Sequence, residues 1–215
     1  MQMHGNYAQD GYALVREIMP AAVCNALLRQ IDTDVLSKIP AERVMRQPNL
    51  LQRPAVELYG FHYPVLLGFL WGLTPSVSSL LGMDLLPSYS YFRIYREGDV
   101  CRVHCDRYAC EVSLSLTLDY SDGVAWPLEM ADVAVPPSAV VEENFGTLPY
   151  SAVEMQPGDG VLYQGVARRH GRITPNPNAW SAHLFCHWVR RDGPHAAHAF
   201  DERAEAARPV NFQLG

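Results

Sequence analysis

Residues 111–119 read EVSLSLTLD, with Val112, Leu114, Leu116 and Leu118 alternating against Ser113, Ser115 and Thr117. Successive side chains of an extended chain point to opposite faces, so this period of two predicts a half-buried β-strand. The flanking segments extend the pattern. Upstream, Ser88 to Arg96 is rich in Tyr, Phe and Ile and predicts a strand, which Glu97-Gly98-Asp99 turns into Arg102-Val-His-Cys-Asp106. Downstream, Pro157-Gly-Asp-Gly160 turns the chain into a strand at Val161 to Tyr163, and the turn Thr174 to Asn178 leads into another at Ser181 to Val189. Between them, residues 131–150 hold Pro136, Pro137, Gly146 and Pro149 and predict an insertion or long loop. Toward the N-terminus the character is helical. A turn at Asp10-Gly11 and a short strand at Tyr12 to Val15 precede a helix opened by Pro20, with Val23, Ala26, Leu27, Leu28 and Ile31 at helical spacing. A second helical stretch covers residues 62–82, and Pro75 is expected to interrupt it.

Helices first and antiparallel strands afterwards predict a helix-supported β-sandwich or barrel rather than βαβ units. The expected organisation is a single domain. Residues 1–86 would give an N-terminal strand and helical support, 87–190 the β core, and 191–215 a peripheral helix or tail.

Composition narrows the function. Of 215 residues 48% are hydrophobic, enough for a sizeable core, and the net charge of −6 gives no basic footprint for nucleic acid. Lys38 is the sole lysine among 17 basic residues, so a buried anion must be met by Arg, a hydroxyl or a backbone N–H. Five cysteines, with no CxxC, do not make a secreted disulfide framework. The apolar run from Tyr63 to Leu73 is broken by Pro64 and Gly68 and is too short for a membrane span. A cytoplasmic protein without a membrane or nucleic-acid partner is expected.

His104-Cys105-Asp106 sets two metal-ligating side chains at i and i+2, on one face of an extended strand. Alone the pair is a weak signal, and a surface strand with a solvated Asp and a hydrogen-bonded His is the commoner meaning. His170, 64 positions after Asp106 and just beyond the PGDG turn and its strand, is the natural third ligand. Two imidazoles and one carboxylate leave three coordination positions open, the facial arrangement suited to non-haem Fe(II). A structural zinc site at Cys101, His104, Cys105 and Cys110 competes with this reading, but structural zinc sites pair such a cluster with a second, distant one, absent here. Cys105 is expected to face the core.

Three segments then carry a family resemblance: YFRIYREGDVCRVHCD (91–106), EVSLSLTLDYSDG (111–123) and MQPGDGVLYQGVARRHGRITP (155–175). In this order and spacing the chain resembles the 2-oxoglutarate/Fe(II)-dependent dioxygenases, most closely their prolyl 4-hydroxylase-like branch. DGYALVREIMPAAVCNALLRQI (10–31) is similar to the strand-then-helix opening of that superfamily. The resemblance implies a double-stranded β-helix (jelly-roll) core, with His104, Asp106 and His170 as the Fe(II) ligands and 2-oxoglutarate as co-substrate. It also implies that Tyr95 and Ser113 contact the co-substrate. The family's Arg or Lys nine or ten residues after the distal His is missing, since Ala179 and Trp180 stand there. Arg172, two residues after His170, is the expected replacement, with Arg93, Arg102 and His183 in reserve.

The activity implied is hydroxylation of a peptide or protein side chain or of a small molecule, with release of succinate and CO2. An Asp ligand fills the position a halide would need, which disfavours halogenation. Tyr89, Tyr91, Trp126, Trp180 and His183 are candidate pocket residues, and the 131–150 loop a candidate lid. A cupin-like metalloprotein and a non-catalytic metal-binding module on the same fold are the alternatives.

Overall fold

The computed structural model describes residues 2–203. In chain order the first six strands are β1 (Gln2–His4), β2 (Tyr12–Arg16), β3 (Met45–Arg46), β4 (Ala55–Tyr59), β5 (Leu85–Arg96) and β6 (Cys101–His104). They are followed by β7 (Val112–Tyr120), β8 (Leu128–Ala131), β9 (Tyr150–Val153), β10 (Gly160–Tyr163), β11 (His170–Arg172) and β12 (Trp180–Arg190). The helices are α1 (Tyr7–Asp10), α2 (Ala21–Ile31) and α3 (Val65–Leu81). Eight strands form a large sheet in the order β1-β2-β10-β7-β12-β5-β4-β3, and four form a small one in the order β6-β11-β8-β9. The recorded pairings are antiparallel, as expected of a jelly roll.

Helices α2 and α3 cover the outer face of the large sheet. Leu27 and Ile31 of α2 and Leu66, Leu70 and Val77 of α3 join Leu114, Leu116, Leu118, Leu184 and Trp188 of the central strands in the main core. Strand β7 departs from the half-buried expectation, because both of its faces are enclosed. Its leucines meet the helices, while Ser113, Ser115 and Thr117 are fully buried on the inner side. The alternation therefore separates two interiors, one apolar and one polar, rather than core from solvent.

Pro75 does not interrupt α3 but lies within it. Its missing N–H deprives only the Trp71 carbonyl of a helical partner, and Trp71 is on the exposed side, where water reaches. One residue earlier, the Thr74 hydroxyl donates to the Leu70 carbonyl at 2.7 Å. Pro87 is tolerated inside β5 for a related reason. It pairs with Trp188 on one side, and on the other β4 reaches no further than Tyr91.

The segment between β8 and β9 is a long loop, as expected, and it is fastened. Val103 and Glu142 exchange two backbone hydrogen bonds of 2.8 Å, Arg102 pairs with Glu143 at 2.8 Å, and Arg169 pairs with Glu142. Phe145 is buried and its ring stacks on Tyr150. Beyond β12, a 3-10 turn at Ala196–Glu202 packs on β5, with Ser88 Oγ donating to the His198 carbonyl at 3.2 Å. Asp201 accepts hydrogen bonds from Tyr59 and Arg107. Part of the expected tail is thus integral to the sandwich, and residues 204–215 lie outside the described residues. No helix of the described residues is long and apolar enough to cross a membrane.

Leu70 is the cleanest probe of the α3 interface, being wholly buried in the main core. Leu70→Ala is expected to lower the unfolding free energy by about 2–5 kcal/mol. Chemical denaturation measures it, and a loss below about 1 kcal/mol would show that α3 does not seal the large sheet.

Candidate metal centre

His104 closes β6, Asp106 follows two residues on, and β11 sets His170 directly opposite His104 in register. The three ligating atoms lie within 4.8 Å of one another. His104 Nε2 is 3.6 Å and His170 Nε2 3.5 Å from the same oxygen, Asp106 Oδ1. The opposite ring nitrogens explain this aim. His104 Nδ1 lies 2.8 Å from the Arg102 carbonyl, and His170 Nδ1 lies 2.9 Å from that of Arg168. A carbonyl only accepts, so each Nδ1 carries the proton and each Nε2 presents its lone pair to the centre.

Asp106 is fixed on its other side, where Ser113 Oγ donates to Oδ2 at 3.0 Å. The Asp106 backbone N–H bonds the Gly165 carbonyl at 2.8 Å. A Cβ on Gly165 would fall 2.4 Å from Asp106 Oδ2, so only glycine lets the two segments meet here. Burial disfavours charge on Asp106, but the adjacent His170 and His104 outweigh it and hold the carboxyl well below its usual range. Burial, then His170, pushes His104 down; for His170 burial is opposed and overcome by Asp106, which raises it. An ionised carboxylate beside two directed imidazole nitrogens is a donor set that fits a divalent ion with open positions.

Two hollows meet at this triad. An open cleft of about 360 Å³ reaches Asp106 from outside, between Arg107 and Tyr108 and the loop residues Pro137, Ser138 and Ala139. Inward lies an enclosed chamber between the two sheets, lined by His104, Asp106, His170, Tyr91, Tyr95 and Phe185, with Arg93 and Arg172. Its free volume is about 20 Å³, room for one water molecule.

The arginines differ in how they are neutralised. Arg93 is taken by Glu57, with bonds of 3.0 and 2.6 Å to one carboxylate oxygen, and also bonds Tyr95 OH at 2.9 Å. Arg102 faces away, toward Glu143 and the Asn49 carbonyl. Arg172 is 1% exposed and has no carboxylate partner among the described residues. Its guanidinium lies 4.8 Å from the centre of the Trp126 ring and donates to the Trp126 carbonyl at 2.9 Å and Ser115 Oγ at 3.3 Å. A buried cation without a counter-charge is costly, and the chamber it lines is where an anion would relieve it.

Other sequence candidates sort themselves around this frame. Tyr95 and Tyr91 line the chamber, Tyr91 stacked on Phe185 at 4.6 Å. Ser113 donates to Asp106, and Trp126 is the platform under Arg172 and lines neither hollow. Tyr89 lies under Arg107, with its hydroxyl 3.2 Å from Cys110 Sγ. Trp180 is half-exposed at the start of β12 and lines neither hollow. Cys105 is buried but borders the outer cleft, not the core. Cys101, His104, Cys105 and Cys110 form no common ligand group among the described residues; Cys110 instead lies near Asp106 and His187. Tyr163, whose ring is 4.6 Å from that of His170, was not singled out because a strand tyrosine has no distinguishing spacing.

No protein-family model and no curated protein matches the sequence. Solved structures do match in shape. The α-ketoglutarate-dependent non-haem epimerase SnoN of nogalamycin biosynthesis superimposes with a TM-score of 0.63 at 13% identity, over 86% of this chain and 80% of that one. HygX from Streptomyces hygroscopicus, with nickel and 2-oxoglutarate bound, gives 0.62 at 10% identity, over 86% and 85%. A Pseudomonas putida prolyl-4-hydroxylase gives 0.56 at 18% identity, over 87% and 96%. At these identities the likeness is one of architecture: the chain has the jelly-roll fold of the 2-oxoglutarate-dependent non-haem enzymes.

Proposed function

We propose that the protein is an oxygenase that holds one ferrous ion on His104, Asp106 and His170 and draws 2-oxoglutarate into the enclosed chamber. Hydroxylation of a peptide or protein side chain, or of a small molecule, with release of succinate and CO2, is the reaction favoured. The observation that carries this reading is the juxtaposition of a two-His-one-carboxylate face with a buried guanidinium lacking a carboxylate, joined by one chamber. A ferrous ion held on that face supplies, with O2 and the 2-oxo acid, the oxidising power to break a C–H bond.

The chain's own residues do the rest. Arg172 would take the far carboxylate of the co-substrate through a charge-assisted pair of hydrogen bonds, and Tyr95 would line its path. Tyr91, Tyr163 and Phe185 line the chamber and leave it little room for water. With a free volume of about 20 Å³, the chamber is too tight for a five-carbon diacid without side-chain displacement. The Tyr91–Phe185 stack, over which the Arg93 guanidinium lies, is part of the wall that would have to shift. The substrate would approach through the outer cleft, which touches Asp106 and is bounded by the fastened loop. HygX has been crystallised with hygromycin B, which keeps small molecules beside peptides as substrates.

The tightness of the chamber favours one other reading, a metal-binding module that does not turn over the co-substrate. Anaerobic titration with Fe(II) and then 2-oxoglutarate separates the two through the weak visible charge-transfer band of the chelate. The oxygenase shows the band and forms succinate once O2 is admitted; the module binds metal without either. His104→Ala and Asp106→Ala should abolish the band, and its survival in either variant would remove that residue from the ligand set. Ser113→Ala should weaken metal affinity by about tenfold, since it frees Asp106 to rotate.

Arg172→Met gives a second, independent test. It should weaken 2-oxoglutarate binding by about 100-fold or more, the effect of losing a buried charged partner. In the free protein, calorimetry should find the same or a higher melting temperature, because an uncompensated buried charge has been removed. A marked fall in melting temperature would instead make Arg172 a structural residue.

A further inference from the structure

The hydroxyl that steadies Asp106 is itself held from behind. His187 of β12 stands directly opposite Ser113 of β7 in the sheet register, and its Nδ1 lies 2.9 Å from Ser113 Oγ. A hydroxyl has one proton to give. Ser113 has two acceptors in reach of it, Asp106 Oδ2 at 3.0 Å and the Cys110 carbonyl at 3.3 Å, and neither can donate back. Whichever takes the proton, Ser113 meets His187 with a lone pair, so His187 Nδ1 is the donor. The ring is neutral, since burial drives its pKa down to about 4 against the pull of Asp106. With the proton on Nδ1, Nε2 is a bare acceptor, buried and without a hydrogen-bond partner among the described residues.

The orphaned nitrogen marks this residue as a costly one. A buried acceptor left unpaired weakens a fold, and a phenylalanine here would leave none. The ring packs well enough without its nitrogens, with its centre 4.6 Å from that of Tyr89 and 5.8 Å from that of Tyr91. What histidine adds at this point is the Nδ1–H aimed at Ser113. His183, four residues earlier on the same strand, shares the orphaned Nε2 but has no such link to a ligand. Its Nδ1 lies 3.4 Å from both Arg172 Nη2 and Thr117 Oγ1, and it lines neither hollow.

We propose that His187 is a positioning residue for the metal centre. It acts through a directed chain in which His187 Nδ1–H donates to Ser113 Oγ, and the Ser113 hydroxyl donates to Asp106 Oδ2. A hydroxyl that accepts one hydrogen bond donates a stronger one, so His187 tightens the grip of Ser113 on the carboxylate. The chain also gives the two carboxylate oxygens different roles. Oδ2 is committed to the serine, and Oδ1 is left facing the two imidazole nitrogens. Asp106 follows a strand of the small sheet, whereas Ser113 and His187 belong to the large one, so the chain braces one sheet against the other at the centre.

The inference rests on the reading that His104, Asp106 and His170 hold a divalent ion, and the test keeps the two apart. Co²⁺ binding to the wild-type protein and its variants is measured by calorimetry. His187→Phe keeps the ring and removes the donor, and is expected to weaken Co²⁺ binding by about tenfold. His187→Asn, whose amide can donate from nearly the place of Nδ1, should recover most of that loss. A packing role predicts the reverse order, because Phe fills the space and Asn does not. Ser113→Ala combined with His187→Phe should bind no more weakly than Ser113→Ala alone, since both break one chain. In the wild-type protein, nitrogen-15 NMR should find the ring proton of His187 on Nδ1, a readout that requires no variant to fold. Unchanged affinity in His187→Phe, an Asn variant weaker than the Phe variant, additive losses in the double variant, or a proton on Nε2 would each overturn the role of His187 and leave the ligand set standing. Failure of the wild-type protein to bind Co²⁺ at all would overturn the centre itself, and the inference with it.

Discussion

The geometry of the candidate centre depends on two hydrogen bonds to backbone carbonyls two residues upstream, His104 to Arg102 and His170 to Arg168. Each fixes a ring in one tautomer and one orientation, so the two Nε2 atoms converge on Asp106 without being drawn together by an ion. The convergence is in turn a matter of register, since His170 stands opposite His104 across the β6–β11 ladder. A slip of one residue would turn one of the rings to the other face of the sheet. The centre is thus preorganised by the sheet that carries it, and a metal ligand set of this kind is as precise as its strand pairing.

Preorganisation of this kind works against stability on the inner face of the large sheet. Ser113, Ser115, Thr117, His183 and His187 are each 1% exposed or less, and the Nε2 atoms of both histidines have no partner. Such groups weaken a fold. The opposite face offsets them with an apolar seam of leucines against α2 and α3. One nine-residue strand serves both, because its side chains alternate. The helices therefore bear on function indirectly: by holding the outer face, they let the inner face stay polar.

Much of this was legible in the sequence because strands announce themselves by alternation and turns by Gly and Pro. The PGDG turn, the central strands and the two long helices follow from local rules, whereas the short strands β1, β3 and β4, which precede α3, carry no such signal. What was not legible depends on what lies across space. EVSLSLTLD looks half-buried because its serines and threonine resemble a solvent face; only the second sheet, packed across the sandwich, encloses them. Pro75 looks like a helix end because its environment, an exposed Trp71 carbonyl, cannot be seen locally. The bond from Ser113 to Asp106 was not legible, since nothing in the spacing of the two residues announces it. Arg172 is preferred to Arg93 on strand spacing alone, whereas the pairing of Arg93 with Glu57, 36 residues before it, cannot be seen locally.

The tripeptide His170-Gly171-Arg172 brings these strands of argument together. Simple alternation puts residues 170 and 172 on one face, but the ladder is irregular there: His170 pairs with His104 and Arg172 with Cys101, so three steps on β6 match two on β11. The extra residue on β6 is a bulge, which bends and twists the pair. Gly171 is what the bulge permits, for a Cβ there would lie 2.7 Å from the Cys101 carbonyl and 3.2 Å from the Arg102 carbonyl carbon. The bulge therefore joins the histidine end of the chamber to its guanidinium end through the smallest residue. His170 and Arg172 thus set an imidazole of the candidate centre and a buried guanidinium on one short, closely packed strand, β11.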